Sequence, residues 1–172
     1  STTKVLTAAL ALEYMKPEYR FGTRVMATGN IVQGVLQGDI YLRGGGDPSL
    51  VSDDLDALAQ ALATGDLDRQ IPPITSVTGR LLVDDTFFPG PGPLFGPGWQ
   101  ADDLPWYYAA PASAVSCHRN AVTVRVRGAT ANAPAVVMLS PATRFFTIEH
   151  RVMTRSSAKT GAVTVCRTGR RI

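Results

Sequence analysis

The chain opens Ser1-Thr2-Thr3-Lys4-Val5-Leu6-Thr7-Ala8-Ala9-Leu10-Ala11-Leu12, and the reading of the rest depends on this stretch. Val5, Ala8, Ala9, Leu12 and Met15 recur at the spacing of one helical face, while Leu6 and Leu10 widen the stripe until the segment is apolar nearly all round. The pattern predicts a core helix that ends near Lys16-Pro17, because proline disfavours helix at the residue before it. On that helix Ser1 and Lys4 lie almost one turn apart on one face. A serine hydroxyl is a poor nucleophile until a base takes its proton, and burial of a lysine depresses its pKa toward that task. The apolar residues after Lys4 are expected to supply that burial. Ser-x-x-Lys arises by accident roughly once per couple of hundred residues. The plain alternative is an N-capping Ser1 and a solvated Lys4, and the apolar context argues against it.

The 172 residues, 45% of them hydrophobic, suit one domain or part of a larger one and exclude a disordered chain. No apolar run approaches the ~20 residues that cross a bilayer. No basic-then-apolar signal precedes Ser1, so the leader of an exported protein would have been removed or would lie outside this stretch. The net charge of +3 conceals an asymmetry: residues 1–110 hold seven Lys/Arg against thirteen Asp/Glu, and residues 111–172 hold ten against one. The basic half reads as a β module with solvated arginines, Arg125 and Arg127 alternating with Val124 and Val126. Cys117 and Cys166 are too few for a disulfide framework, and one bridge or two free buried thiols are both open.

Strands are expected at 21–27, 35–42 and 77–83, with glycines marking turns or bulges. Gly44-Gly45-Gly46-Asp47-Pro48 has no following P-loop lysine and reads as a tight connection. A second helix starts at Ser52-Asp53-Asp54, where Ser52 can cap it, carries a stripe of Leu55, Leu58, Ala59 and Leu62, and closes at Gly65. Asp84-Asp85 ends a strand, and adjacent strand residues point to opposite faces, which favours structural roles over a shared site. The Pro/Gly-rich excursion 89–98 lands on Trp99-Gln100-Ala101-Asp102-Asp103, where carboxylates among aromatics make either a ligand wall or plain packing. Beyond Asn120 strands are expected at 121–126, 135–139, 146–151 and 163–167, with a change of texture near residue 115.

Five collinear stretches, STTKVLTAALALEY (1–14), GDIYLRGGGDPSL (38–50), GRLLVDDTFF (79–88), GWQADDL (98–104) and YAAPASAVSCHRNAVTVRV (108–126), resemble the low-molecular-mass class C penicillin-binding proteins. These are the D-alanyl-D-alanine carboxypeptidase/endopeptidases of peptidase family S13. The resemblance implies an α+β chain: the first core helix of a penicillin-binding/β-lactamase-like transpeptidase domain (1–28), an inserted α/β domain (29–114) and a second, β-rich insert (115–172), incomplete at both ends. It implies Ser1 as nucleophile and Lys4 as its base, though base assignments in Ser-x-x-Lys enzymes are disputed. Asp103 would bind the side chain of a peptidoglycan stem peptide, with Asp102 and Trp99 as neighbours. β-Lactams would acylate Ser1, no metal or cofactor or nucleic acid is implied, and the setting would be the periplasmic or extracellular face of the envelope, compatible with peripheral membrane association.

Two departures from the family pattern stand out. No Ser-x-Asn motif occurs anywhere, and Lys159-Thr160-Gly161, which copies the family's third motif, lies within a β-like stretch and reads as a chance triplet. A complete active site cannot be built from these residues, so the fragment alone is expected to be inactive. His118 and His150 read as structural or surface residues rather than triad members. Two rival readings remain: a hydrolase whose free Ser1 amine is the base, and a non-catalytic module whose basic half docks an anionic polymer.

Overall fold

The computed structural model describes residues 2–66, 71–90, 96, 98–156 and 162–172. Helix α1 spans Thr3–Met15, as expected, and stops at Lys16, whose N–H still reaches the Leu12 carbonyl (3.2 Å) before Pro17 ends the ladder. Its burial differs from the expectation of a core helix. No residue of α1 is buried: Val5 and Leu6 are 67% exposed and Leu12 60%, because no described element packs on the stripe.

Six short strands follow: β1 (Arg24–Ala27), β2 (Asn30–Val32), β3 (Val35–Gln37), β4 (Ile40–Arg43), β5 (Ser76–Val77) and β6 (Leu81–Asp84). They form two three-stranded ladders, β1-β4-β6 and β2-β3-β5. In each, the central strand pairs antiparallel with one neighbour and parallel with the other. The single strands expected at 35–42 and 77–83 are therefore each two strands, broken at Gly38 and Gly79. The breaks are aligned with that at Gly29. A Cβ on Gly38 would strike the Thr28 carbonyl oxygen, one on Gly29 the Gln37 carbonyl, and one on Gly79 the Gly38 carbonyl. Three strands thus fold along one glycine crease that larger side chains would force apart. Asp39 fastens it, accepting the Arg80 N–H (2.7 Å) and pairing with the Arg80 guanidinium (3.2 Å). These Arg80 hydrogen bonds hold the Asp39 carboxyl below its ordinary pKa.

Helix α2 (Ser52–Thr64) connects β4 to the parallel strands β5 and β6, as such a crossover requires. Its cap is a correction in detail: Val51 is the N-cap, and the Asp54 carboxylate, not Ser52, takes the Val51 N–H (2.9 Å). Gly65 (φ 74°) closes the helix where only glycine is unstrained. Leu55, Leu58 and Leu62 line an apolar cleft of about 490 Å³ together with Val25, Ile40 and Leu42 of the sheet. The buried apolar set is small: Leu36, Leu50, Ile74, Ala109, Ala114 and Ala135.

Among the described residues of the basic half only β7 (Thr123–Arg127) and β8 (Val136–Ser140) form a ladder, an antiparallel pair. The strands expected at 146–151 and 163–167 are absent. Thr147 and Glu149 donate to the carbonyls of Arg170 and Ile172 in an isolated bridge, and Val163 and Val165 stay 45% and 47% exposed with no ladder partner. β-Propensity supplies a strand only where a neighbouring strand takes its backbone bonds.

Candidate functional site

Ser1 lies outside the described residues, as does the Lys159-Thr160-Gly161 triplet. Lys4 sits in the first turn of α1, exposed, with no ion pair or hydrogen bond to any described side chain. The dry surroundings expected for it are not supplied by the described residues: Val5 and Leu6 beside it face solvent.

The Trp99–Asp103 segment forms a braced turn. The Asp103 carboxylate accepts the Gln100 N–H (3.1 Å) through one oxygen and the Tyr108 hydroxyl (3.1 Å) through the other. The Asp103 N–H bonds the Gln100 carbonyl (3.0 Å) and the Asp103 carbonyl accepts the Trp106 N–H (2.9 Å). Trp99 packs on Tyr108, ring centroids 5.5 Å apart. Burial, and then the Asp103 bond, push the Tyr108 phenol above its ordinary pKa. Both Asp103 oxygens are thus engaged. Asp102, one residue earlier, is exposed, has no hydrogen-bond or charge partner among the described residues, and lines a cleft of about 620 Å³ with Trp106, Tyr107 and Arg167. Of the acidic pair, Asp103 is bonded within the turn and Asp102 is the one without a partner among the described residues.

Asp84 and Asp85 diverge, as strand alternation requires. Asp84 is held low mainly by the Thr86 hydroxyl (2.6 Å), with Arg43 3.5 Å away. Asp85 gathers the Ser113 hydroxyl (2.7 Å) and the Ala114 and Val115 N–H groups, and so fixes the 113–116 loop against the first sheet. Gly44 and Gly46 meet that loop, and the Gly46 N–H bonds the Ala114 carbonyl (3.0 Å). The triple glycine therefore permits close backbone approach, in keeping with a tight connection.

Sequence reasoning missed one polar pair. His118 Nε2 accepts the Ser52 N–H (3.2 Å) and lies 2.9 Å from the Ser52 hydroxyl, while the His118 N–H donates to the Leu50 carbonyl (2.9 Å). Sixty-six residues separate the partners, and no local signal marks the pair. His118, Arg119 and Asn120 all take left-handed backbone angles (φ 50°, 57° and 52°), a run that costs about 1–2 kcal/mol per residue. Asn120 braces it through bonds to the Pro111 carbonyl (2.9 Å) and the Ser116 hydroxyl (3.1 Å). Both cysteines are free thiols. Cys117 is half-buried, and burial pushes its thiol pKa up, whereas Cys166 is exposed, contrary to a pair of buried thiols. Among the described residues no three His, Cys, Asp or Glu side chains converge as metal ligands.

Residues 1–170 match the D-Ala-D-Ala carboxypeptidase 3 (S13) family. The chain belongs to that family. The D-alanyl-D-alanine carboxypeptidase of Actinomadura sp. (strain R39) is 31% identical over 97% of this S13 chain, which covers 30% of that protein. D-alanyl-D-alanine carboxypeptidase DacB of Haemophilus influenzae is 30% identical over 70% of the chain, itself covered to 23%. Penicillin binding protein 4 of H. influenzae has a similar fold, with a TM-score of 0.65 at 24% identity over 87% of this chain and 30% of its own. The S13 chain thus spans less than a third of the length of these curated relatives. Membership also accounts for the mixed α and β architecture described above.

Proposed function

We propose that these residues form the nucleophile-bearing part of a serine-type D-alanyl-D-alanine carboxypeptidase/endopeptidase that acts on peptidoglycan stem peptides in the cell envelope. The observation that carries the reading is the family match over residues 1–170, a stretch that includes the Ser-x-x-Lys of residues 1–4, with Lys4 in the first turn of α1. Lys4 accepts the Ser1 proton as Ser1 Oγ attacks the carbonyl carbon between the two terminal D-alanines. The tetrahedral oxyanion collapses, the peptide bond breaks, and D-alanine leaves with the returned proton. Water then hydrolyses the acyl-enzyme, or an amine resolves it. β-Lactams acylate the same hydroxyl. A solved relative in complex with a β-lactam supports that choice of inhibitor through its shared fold, with a TM-score of 0.60.

Residues 1–28 belong in this account to the transpeptidase core, 29–114 to one inserted domain and 115–172 to a second. The exposed stripe of α1 packs against the remainder of the core, and that packing gives Lys4 the dry surroundings a basic amine needs. The turn at 99–103 is the substrate-binding element: Asp102 meets the cationic or polar side chain of the stem peptide, Trp99 walls the site, and Asp103 holds the turn in shape. The setting is the periplasmic or extracellular face of the envelope. No helix among the described residues is long and apolar enough to cross a membrane.

The test is release of D-alanine by the full-length protein from a pentapeptide ending in D-alanyl-D-alanine. Activity is expected in the native protein and absent in Ser1→Ala. Asp102→Asn should raise KM with little change in kcat, and Asp103→Asn should lower thermal stability as well. Full release of D-alanine by Ser1→Ala would refute the assignment.

A further inference from the structure

The outward side of the basic half is cationic and apolar at once. β7 and β8 pair in a register that sets Arg125 opposite Met138 and Arg127 opposite Val136. A further stretch extends the pair: Pro134 bridges to Met153, and the Ala135 N–H donates to the Val152 carbonyl (2.9 Å). Side chains alternate along extended backbone, and burial follows the alternation. Ala135 is buried and Val124, Val137 and Val152 are half-buried on one side, while Arg125, Arg127 and Arg151 are exposed on the other. Val136, Met138 and Met153 share that outer side at 37%, 48% and 53% exposure.

None of the three arginines forms an ion pair among the described residues, and the one acidic residue of 111–172, Glu149, is held by Arg171 (3.5 Å). Scattered exposed apolar residues need no explanation, but neighbouring ones rimmed by polar groups mark a surface that meets an apolar partner, and methionine adapts readily to such a partner. The guanidiniums beside them call for an anion. A soluble polyanion would satisfy the guanidiniums and leave the methionines wet. A bilayer surface satisfies both: headgroup phosphates meet the arginines, whose apolar stems lie along the methionines toward the acyl boundary. We propose that this face, built on β7, β8 and residues 151–153, is a docking surface for an anionic phospholipid bilayer, with Arg125, Arg127 and Arg151 on headgroup phosphates and Met138 and Met153 in the interface. Contact of this kind is reversible and salt-sensitive, unlike a membrane-spanning anchor.

Co-sedimentation of the full-length protein with vesicles tests this, comparing equal parts phosphatidylglycerol and phosphatidylcholine with phosphatidylcholine alone. The mixed vesicles are expected to bind the protein, the neutral ones to leave it in solution, and high salt to release it. An arginine near an anionic surface is worth about fivefold in partitioning, so Arg125→Gln, Arg127→Gln and Arg151→Gln together should weaken binding about 100-fold. The same three positions changed to Lys should restore most of it. Met138→Ser with Met153→Ser should weaken binding at every salt concentration. All five positions are exposed, so the variants should keep the native melting temperature and rate of β-lactam acylation. Equal binding to neutral vesicles overturns the proposal. So does arginine-dependent binding that the methionine changes leave untouched, which would make the face a site for a soluble polyanion. Absence of vesicle binding overturns it as well, in favour of a second copy where ultracentrifugation finds arginine-dependent self-association, and of the remainder of the chain where the methionine changes lower the melting temperature.

Discussion

The two α-helices are both thirteen residues long, yet they owe their structure to different things. α2 carries its own instructions: Asp53 and Asp54 at its positive end, a carboxylate cap, His118 on its first residue, a leucine stripe toward the sheet and Gly65 as its stop. α1 has no side-chain cap, no acidic residue in its first turn, and three leucines and a valine open to solvent on several sides. A helix of this length is marginal alone in water, so α1 depends on what packs against it. The comparison separates two kinds of helix: the one with good local signals packs on the sheet, and the one without them carries Lys4.

Three perturbations sharpen this contrast. Lys4→Ala in the full-length protein should slow acylation by β-lactams by about 10²–10⁴-fold, the usual contribution of a positioned base, without lowering its melting temperature. Stopped-flow acylation kinetics would measure it, and an unchanged rate would return Lys4 to the role of a solvated surface residue. Next in size, Leu36→Ala should cost the 172-residue chain about 2–5 kcal/mol in urea unfolding, since Leu36 is fully buried in β3. Leu10→Ala, at a position 58% exposed, should cost it no more than about 0.5 kcal/mol, while in the full-length protein the same change should approach the Leu36 figure.

The smallest effect concerns acid. Asp39 has a folded-state pKa below its unfolded value, so its contribution is present at neutral pH and is lost as pH falls through the folded pKa, below about 4. Asp39→Asn should flatten the acid limb of the stability curve there and leave the curve near neutrality almost parallel to the native one.

The legibility of the sequence follows the same division. The extent of α2 could be read because acidic first turns and glycine stops are local chemistry, although the cap itself is Asp54 on Val51 and not Ser52. The crease could not: Gly38 and Gly79 look like ordinary strand interruptions, and only the alignment of three strands reveals that the carbonyls of Thr28, Gln37 and Gly38 press against the glycines of the neighbouring strand. The sequence left the Asp102–Asp103 pair open between a ligand wall and plain packing, and what tells the two carboxylates apart, Gln100 and Tyr108 closing on Asp103, is a product of the folded turn. The Ser52–His118 pair and the left-handed run beside it are products of tertiary contact. Valines at 163 and 165 promised a strand, and the absence of a pairing edge overruled them.

The central claim is that Ser1 is the acylated residue. Incubation of the full-length protein with a β-lactam, followed by proteolysis and mass spectrometry, should place the adduct on the peptide containing Ser1, with none on Ser1→Ala. A stable adduct at any other side chain, or labelling that survives Ser1→Ala, would contradict the account.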